Sequence, residues 1–552
     1  MSKKRTIKNV IGINTGHDGG CALCVDGKIV VAISEERLNR KKNSSGWINS
    51  LFYCLNCSKI NIRDIDAIVF SGYKNKLPKK YDGGLQSIGF PKEKCFSVDH
   101  HLSHACSAFF TSKFNEATIF IYDGHGNGQD TESFYIGNEN KITKIGGNPL
   151  RDAQRGITKA YEIFTSYFGW TSSEAGKTMG LASYGISDKF CKYPIYSQRI
   201  DGFYINNFGS EGYLSDRLSH FCKSNKINIP KCFSENSVND YKDMAAWVQS
   251  EFERAIFGDV EKAIGLTKSE NLCLAGGGAL NSVCNTKLLN NKKIKNMHIF
   301  PAANDSGQCV GNALYGYYVL GKNKRNKRSK WVHDYRGKIY NDNEIGKKLK
   351  NRSGFKDDVI SRANKYELKE YELNQIPEIV AKLVSEGNIV GWFQGGSELG
   401  PRALGHRSII CDPRRRDMKD ILNKKVKNRE EFRPFAASVL LERMSDYFDI
   451  NERSPFMLFV AKVKKDKIKK IPAVTHVDNT CRIQTLTKKE NGIFYELVKK
   501  FYKLTKVPMI LNTSFNVAGE PLVETPDDAV RCFLGTEMDY LVIHNYVLKK
   551  IL

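Results

Sequence analysis

At 552 residues, with 41% apolar and 11% aromatic content, the chain is long enough for more than one domain and too apolar to be disordered. Eighty-five Lys and Arg against 60 Asp and Glu leave a formal charge of +25, which suits anionic partners such as phosphates and nucleotides. No apolar run approaches the roughly 20 residues needed to cross a bilayer, and fifteen cysteines without a regular framework fit reduced thiols in a cytoplasmic protein with no membrane association.

Residues 9–37 read as a strand (Asn9 to Asn14), a glycine turn (Thr15 to Gly20), a second strand, a tight turn at Asp26-Gly-Lys28, and a third strand from Ile29 to Ile33. Cys21 and Cys24 fall three apart in the strand-like run, on opposite faces, which argues against a zinc framework. His100 and His104 follow at helical i, i+4 spacing and share one helix face. The apolar run Thr118 to Tyr122 then ends in Asp123, with Gly-His-Gly-Asn-Gly behind it. Residues 117–144 repeat the strand, glycine turn, strand, turn, strand order of residues 9–37, so the first half reads as duplicated. That arrangement is similar to the actin-like and sugar-kinase ATPases, whose two halves clamp a nucleotide.

Leu272 to Asn281 places Gly276, Gly277 and Gly278 between a buried strand and a helix, where backbone can approach a phosphate or adenosine closely. Asp305 sits in the loop after the strand beginning at Met297. Two His and two Asp (His100, His104, Asp123, Asp305) form a mixed nitrogen and oxygen donor set suited to Fe2+, Mn2+ or Zn2+. The competing readings are a satisfied core pair of histidines and an Asp305 that caps the next helix.

The basic run 322–330 reads as a solvated connector, and a boundary falls near residues 335–350. In the second half a helix from Ile376 to Glu386 leads to the buried strand Ile389 to Phe393, then to a glycine-rich loop carrying Arg402, His406 and Arg407. Arg402 and Arg433 flank prolines and apolar residues, which favours fixed, partly buried guanidinium groups that need anions; a phosphorylated substrate is the natural one. Asn512, Ser514 and Asn516 follow the strand ending at Leu511 and can donate hydrogen bonds there.

Taken together, His17-Asp18, Ser34-Glu-Glu-Arg37, His100-x-x-x-His104, Gly176-Lys-Thr-Met-Gly-Leu-Ala-Ser-Tyr-Gly185, Ala275-Gly-Gly-Gly-Ala-Leu-Asn281, Gly400-Pro-Arg-Ala-Leu-Gly-His-Arg-Ser408, Lys427-Asn-Arg-Glu-Glu-Phe-Arg-Pro-Phe435, Arg482-Ile-Gln and Leu511-Asn-Thr-Ser-Phe-Asn516 resemble the NodU/CmcH-type O-carbamoyltransferases, in that family's order and over essentially the whole chain. The resemblance implies an α/β protein with a duplicated actin-like (ribonuclease H-like) domain over residues 1–345, similar to the tRNA threonylcarbamoylation factor, and a YrdC-like α/β domain over residues 346–552. It implies that carbamoyl phosphate and ATP, with Mg2+, meet in the C-terminal domain. There Arg402, Lys427, Arg433 and Arg482, with Ser514 and Asn512, would hold phosphates while carbamate attacks the α-phosphorus to give carbamoyl adenylate and pyrophosphate.

The adenylate would then lie on Gly276, Gly277, Gly278 and Asn281, with Lys177 nearby. A divalent metal, Fe2+ foremost, would sit on His100, His104, Asp123 and Asp305. His17 would take the proton from a hydroxyl of a small-molecule acceptor, a sugar or natural product, releasing AMP. The pair Gly19-Gly20 replaces the alanine or serine usual after His-Asp, which suggests a wider acceptor side. Two other classes stay open: a tRNA-modifying threonylcarbamoyl-type transferase, and a non-catalytic nucleotide binder of the actin-like class. No aromatic-interleaved basic platform supports the first, so no nucleic-acid partner is expected. The oligomeric state is not legible.

Overall fold

The computed structural model of the protein describes residues 7–72, 85, 88–124, 126, 130–147, 155–190, 192–207, 214–224, 226, 238–326, 329–351 and 366–551. The chain falls into two compact units, Met1–Ala32 with Ser45–Trp331, and Ile33–Ser44 with Val332–Leu552. The sequence reading placed one cut at 345/346; the structure instead divides at Trp331/Val332 and returns a short early segment to the second unit.

In the first unit, β1 (Asn9–Asn14), β2 (Gly20–Val25) and β3 (Lys28–Ser34) form an antiparallel meander, with Asn14 opposite Gly20. β1 is buried along nearly its whole length, as a strand covered on both faces should be. β4 (Ala67–Gly72) pairs parallel to β1, and β5 (Cys95–Asp99) parallel to β4. The sheet order is β3-β2-β1-β4-β5.

The second copy repeats this plan. β6 (Glu116–Tyr122), β7 (Glu132–Asn138) and β8 (Lys141–Gly147) form its meander. After the small hairpin β9 (Tyr196–Gln198) and β10 (Tyr204–Asn206), β11 (Asn271–Ala275) joins parallel to β6, and β12 (Asn296–Ile299) parallel to β11. The order β8-β7-β6-β11-β12 is that of the first sheet, three antiparallel strands followed by two parallel ones. The internal echo is therefore a duplicated ribonuclease H-like fold, as expected.

Two helices bring the site together. Helix His100–Thr111 starts at the end of β5, where the Asp99 carboxylate caps it by accepting from the Leu102 N–H at 3.0 Å. Helix Gln308–Tyr315 lies against it at Gly311, where a Cβ would stand only 2.0 Å from the Ser103 carbonyl oxygen. That contact tolerates glycine alone, and it delivers Asp305, in the turn just before the helix, to the histidine face.

The second unit is built on a ten-stranded mixed sheet. In chain order its strands are β13 (Tyr366–Glu370), β14 (Val390–Phe393), β15 (Arg407–Cys411), β16 (Ala436–Leu440), β17 (Phe448–Asp449), β18 (Phe459–Val463), β19 (Thr480–Leu486), β20 (Met509–Ser514), β21 (Tyr540–Ile543) and β22 (Tyr546–Lys550). Their order across the sheet is β13-β22-β21-β14-β15-β20-β16-β19-β18-β17, parallel only at β14·β21 and β16·β19. Helices Ile376–Ser385 and Lys488–Thr505 pack on each other, with Val380, Val384, Phe494 and Val498 buried in the core that also holds Trp392 of β14. The early segment Ile33–Ser44 joins this unit through Arg37, which donates to the Gly400 carbonyl at 3.0 Å, and Arg40, which donates to the carbonyls of Pro521 and Leu522 at 2.8 and 2.7 Å. Arg37 lies in one of the family motifs, and its partner loop carries Arg402.

Among the described residues, no helix is long and apolar enough to cross a membrane.

Candidate active sites

In the first unit, His100, His104, Asp123 and Asp305 are all buried, and each offers one ligand atom within 4.8 Å of the others. His100 Nε2 lies 3.1 Å from Asp123 Oδ2 and 3.3 Å from Asp305 Oδ1, and His104 Nε2 lies 3.1 Å from that same Asp305 oxygen. Among the described residues it is the one such group of His, Cys, Asp and Glu able to hold a metal ion. Burial alone would keep the His100 ring neutral, but the carboxylates of Asp305 and Asp123 push it up to about 10. Burial would likewise raise Asp305, yet the His100 and His104 rings hold its carboxyl well below the usual range.

The cluster thus answers its carboxylates with an imidazole proton, a place that a cation fills at least as well. The donor set fits a divalent metal. Two imidazole nitrogens and two carboxylates converge, and the supporting bonds leave the ligand atoms in place. Asp123 Oδ1 accepts from the Gly277 N–H at 2.8 Å, and the Asp123 carbonyl accepts from the Thr158 hydroxyl. The Asp305 carbonyl accepts from Asn14 Nδ2 at 3.0 Å.

His17 stands at the rim of this cluster. Its ring is largely exposed (side chain 68%), while Nε2 lies 3.2 Å from Asp305 Oδ2, the oxygen turned away from His100 and His104. A carboxylate partner on Nε2 fixes the proton there and leaves Nδ1 as the basic nitrogen. Asn14 supports the turn by donating to the carbonyls of His17 and Asp18, and Asp18 accepts from Asn304 Nδ2 at 2.9 Å. The wider acceptor side suggested by Gly19 is not what that residue provides. A Cβ there would stand 2.2 Å from the Gly46 carbonyl oxygen, so the glycine serves a close backbone contact. The residues of the second glycine turn at 125 and 127–129 lie outside the described residues.

The triple-glycine turn adjoins the cluster through the Gly277 amide, and the Gly276 N–H donates to the Ala303 carbonyl at 2.8 Å. Gly277 and Gly278 are half-buried. Asn281 is committed: it caps helix Ser282–Leu288 by accepting from the Cys284 N–H, and it exchanges two hydrogen bonds with Gln249. Lys177 lies on helix Ala175–Ala182, paired with Glu174 at 2.7 Å and 5.6 Å from the centre of the Trp170 ring.

In the second unit the expected arginines come together. Burial, then the charges of Arg482 and Arg433, lowers Arg402 well below its ordinary value. Burial and Arg433 bring Arg482 down to about 10. Arg429, of the same motif as Lys427 and Arg433, is brought to about 9 by burial and by Arg433 and Arg482. Arg429 is anchored by Asn423 Oδ1 at 2.8 Å and by the face of Phe435, 4.6 Å away. Within this group Arg433 has one ion pair, to Glu430 at 3.6 Å. The Nε atoms of Arg402 and Arg482 are buried without a hydrogen-bond partner. Three guanidinium groups lowered by burial and by their neighbours' charge, two of them with a buried and unused Nε–H, have the chemistry that suits an anion.

Arg407 of the same loop is different: wholly buried, it donates to the carbonyls of Gln394, Gly395 and His406. Its task is to hold the loop. Lys427 is also committed. Its ammonium donates to the Ser514 carbonyl and hydroxyl, to the Asn516 carbonyl at 2.9 Å and to Asn516 Oδ1 at 2.8 Å. The structure makes it the clasp of the loop bearing Ser514.

Some supporting residues escaped the sequence reading. Gln308 places Nε2 3.2 Å from His100 Nε2, and its spacing of three from Asp305 was the available signal. Glu398 accepts from the N–H groups of Leu404 and His406 at 2.6 and 3.0 Å, shaping the arginine loop; no local pattern marks it.

Comparison with known proteins agrees with this architecture. The family model described as Carbamoyltransferase N-terminus matches residues 9–85 and 83–314, and that described as Carbamoyltransferase C-terminus matches residues 381–550. The Synechocystis sp. protein sll1178 is 35% identical, with 98% of this chain and 97% of that protein covered. Nodulation protein NolNO of Sinorhizobium fredii is 32% identical over 97% of this chain and 79% of its own length. Among solved structures, full-length HypF in its phosphate- and nucleotide-bound form aligns at 14% identity over 58% of this chain and 56% of that one, with a TM-score of 0.37, a likeness too slight to argue from. With both halves matched, and with relatives of at least 30% identity aligned along nearly all of it, the chain belongs to the carbamoyltransferase family and is an enzyme of that class.

Proposed function

We propose that the protein is an O-carbamoyltransferase that works in two stages. In the second unit carbamoyl phosphate is hydrolysed to carbamate and phosphate; the carbamate then attacks the α-phosphorus of Mg2+-bound ATP, forming carbamoyl adenylate and releasing pyrophosphate. In the first unit the carbamoyl group passes to a hydroxyl of a small-molecule acceptor, a sugar or natural product, and AMP leaves. The observation that carries this reading is that one chain contains two charged centres of opposite character, a carboxylate–imidazole cluster and a carboxylate-poor arginine cluster.

Each residue has a task of its own. Arg402, Arg433 and Arg482 bind the phosphates and neutralise charge gathering on the α-phosphoryl oxygens. Lys427 holds Ser514 and Asn516 in the conformation that faces the phosphates. A divalent cation on His100, His104, Asp123 and Asp305, Fe2+ in this reading with Mn2+ or Zn2+ also compatible with the donors, would polarise the transferring carbonyl and stabilise developing oxygen charge. Gly276 to Gly278, which carry no side chains, would let the adenylate approach closely, and the family resemblance assigns Asn281 and Lys177 to the same site. His17, oriented by Asp305, accepts the acceptor's hydroxyl proton at Nδ1. All described cysteines are free thiols, which supports a reducing, cytoplasmic setting.

The test is incubation of the metal-loaded protein with carbamoyl phosphate, Mg-ATP and a panel of hydroxyl compounds. Pyrophosphate and AMP are expected, with a product heavier by about 43 Da where CONH2 replaces a hydroxyl hydrogen, the proton leaving through a general base. Release of ADP in place of AMP, or no turnover of carbamoyl phosphate at all, would overturn the reading.

A further inference from the structure

The early segment Ile33–Ser44 holds two loops of the second unit at once. The chain leaves the first unit after Ala32, returns to it at Ser45, and in between belongs to the second. The segment is built on the helix Glu35–Asn39, which ends at Arg40 in the left-handed conformation (φ 61°). It is also tied to itself. The Asn43 N–H donates to Glu36 Oε2 at 2.9 Å, Asn39 Nδ2 to the Ser44 hydroxyl at 2.8 Å, and the Lys41 N–H to Asn39 Oδ1 at 2.9 Å. Side-chain bonds of this local kind fix a turn, and with it the stems of Arg37 and Arg40.

What the two guanidinium groups hold is loop backbone. Arg37 Nη2 donates to the Gly400 carbonyl at 3.0 Å, and only Pro401, whose ring fixes φ, separates Gly400 from Arg402. Arg40 donates to the carbonyls of Pro521 and Leu522. The next residue, Val523, donates its N–H to the Phe515 carbonyl at 3.0 Å, and Phe515 adjoins Ser514. Gly400 and residues 520–524 lie outside helices and strands, so no ladder serves these carbonyls.

Stability alone does not account for either arginine. Arg37 is buried, its ion pair to Glu36 is long at 3.5 Å, and its Nη1 has no hydrogen-bond partner. Arg40 faces Asp528 at 3.5 Å and Glu520 at 3.7 Å, and burial still lowers it below its ordinary value. Burying a guanidinium with such loose pairing is unfavourable, and an apolar side chain would fill the space at less cost. A planar fork of directed donors is what no apolar side chain supplies.

We propose that Arg37 and Arg40 are positioning residues for the chemistry of the second unit, fixing the backbone of the Arg402 loop and of the loop after Ser514 so that the arginine cluster keeps its geometry against its own repulsion. This rests on the assignment of carbamoyl adenylate formation to that unit. The family model of the C-terminus matches from residue 381 onward, so the machinery it describes is incomplete without this segment from the start of the chain.

The experiment uses the intact chain and reads kcat and KM for pyrophosphate release from carbamoyl phosphate and Mg-ATP, together with amide hydrogen exchange followed by mass spectrometry. Arg40→Ala should lower kcat by roughly 10- to 100-fold, the effect of a small misplacement of binding groups, with KM changing less. Exchange should quicken over residues 515–524 in Arg40→Ala and over residues 399–405 in Arg37→Ala. Arg40→Lys keeps the charge but lacks the fork, and its kcat should fall between those of wild type and Arg40→Ala; if Arg40→Ala does not fold, a wild-type kcat in Arg40→Lys overturns the proposal. Val384→Ala, a core change in helix Ile376–Ser385, lowers stability without touching the segment and should leave kcat near wild type. Full kcat in a folded Arg40→Ala, unchanged exchange over both loops, or an equal loss of kcat in Val384→Ala would each overturn the proposal. Where the wild type releases pyrophosphate, such a result sinks this inference alone. If the wild type never uses carbamoyl phosphate, the two-stage reading fails and this role fails with it.

Discussion

In the first unit four ionisable side chains of opposite character are buried together, and each carboxylate lies within about hydrogen-bonding reach of an imidazole. In the second unit Arg402, Arg429, Arg433 and Arg482 are gathered with Glu430 as the ion-paired carboxylate of the group, and burial together with mutual repulsion lowers three of them. The first arrangement is close to electrically satisfied and asks for one cation to replace a proton. The second is held by its scaffold against its own charge and asks for an anion. A chain that maintains both centres stores two different binding free energies: one from convergent donors, one from desolvated like charge released when a ligand arrives.

The sharpest test of that contrast is to break each centre and measure both half-reactions. Arg433→Ala is expected to cut carbamoyl phosphate-dependent pyrophosphate release about 100-fold or more, with Lys427→Ala acting in the same direction through the Ser514 loop. His17→Asn should spare that release and slow acceptor carbamoylation by roughly 10²- to 10⁴-fold, the usual worth of a general base. Equal losses of both activities in both variants would merge the two centres into one.

A smaller effect concerns the metal. Elemental analysis of the purified protein should find about one divalent ion per chain in wild type and much less after His104→Ala, since a four-donor site rarely survives on three. An undiminished ion in that variant would remove the proposed donor set.

The smallest effect separates ionic function from ionic structure. Burial pushes the Glu132 carboxyl, on β7, up to about 7. The folded state therefore favours the protonated form, and this contribution to stability is complete below the ordinary glutamate value and is lost as pH rises through about 7. Glu132→Gln should flatten that part of the stability curve by up to roughly 3 kcal/mol, read from denaturant melts between pH 4.5 and 8. A curve of unchanged slope would show that this carboxyl is charged in the folded protein.

The duplicated first half was legible from local pattern, because each copy opens with a meander whose turns and apolar alternation lie within about thirty residues. The parallel strands β11 and β12 complete the second copy from far along the chain, and no local signal ties them to β6. The metal-type cluster was legible because His100 and His104 are joined by one helix, and Asp123 and Asp305 lie just beyond strand-like runs. Gln308 was marked only by its spacing of three from Asp305, and Glu398 by nothing local, since a glutamate that shapes a loop looks in sequence like one that faces water. Asn512 donates at the end of its strand, but which atom of its amide is left over was not legible, because that depends on Ala403, Ser438 and Gln484, residues far from it in the chain.

By itself, then, the sequence determined the elements, the duplication, the residue types of both charged centres and the family, because these reside in short-range periodicity and in motifs that keep their order. Tertiary structure alone decided that Ile33–Ser44 belongs with the second unit, that Lys427 and Asn281 have their hydrogen bonds already committed, and that Asn512 Oδ1 on β20 does not. Hydrogen-bond capacity is a sum over neighbours from distant segments, and only folding brings those neighbours within 3 Å.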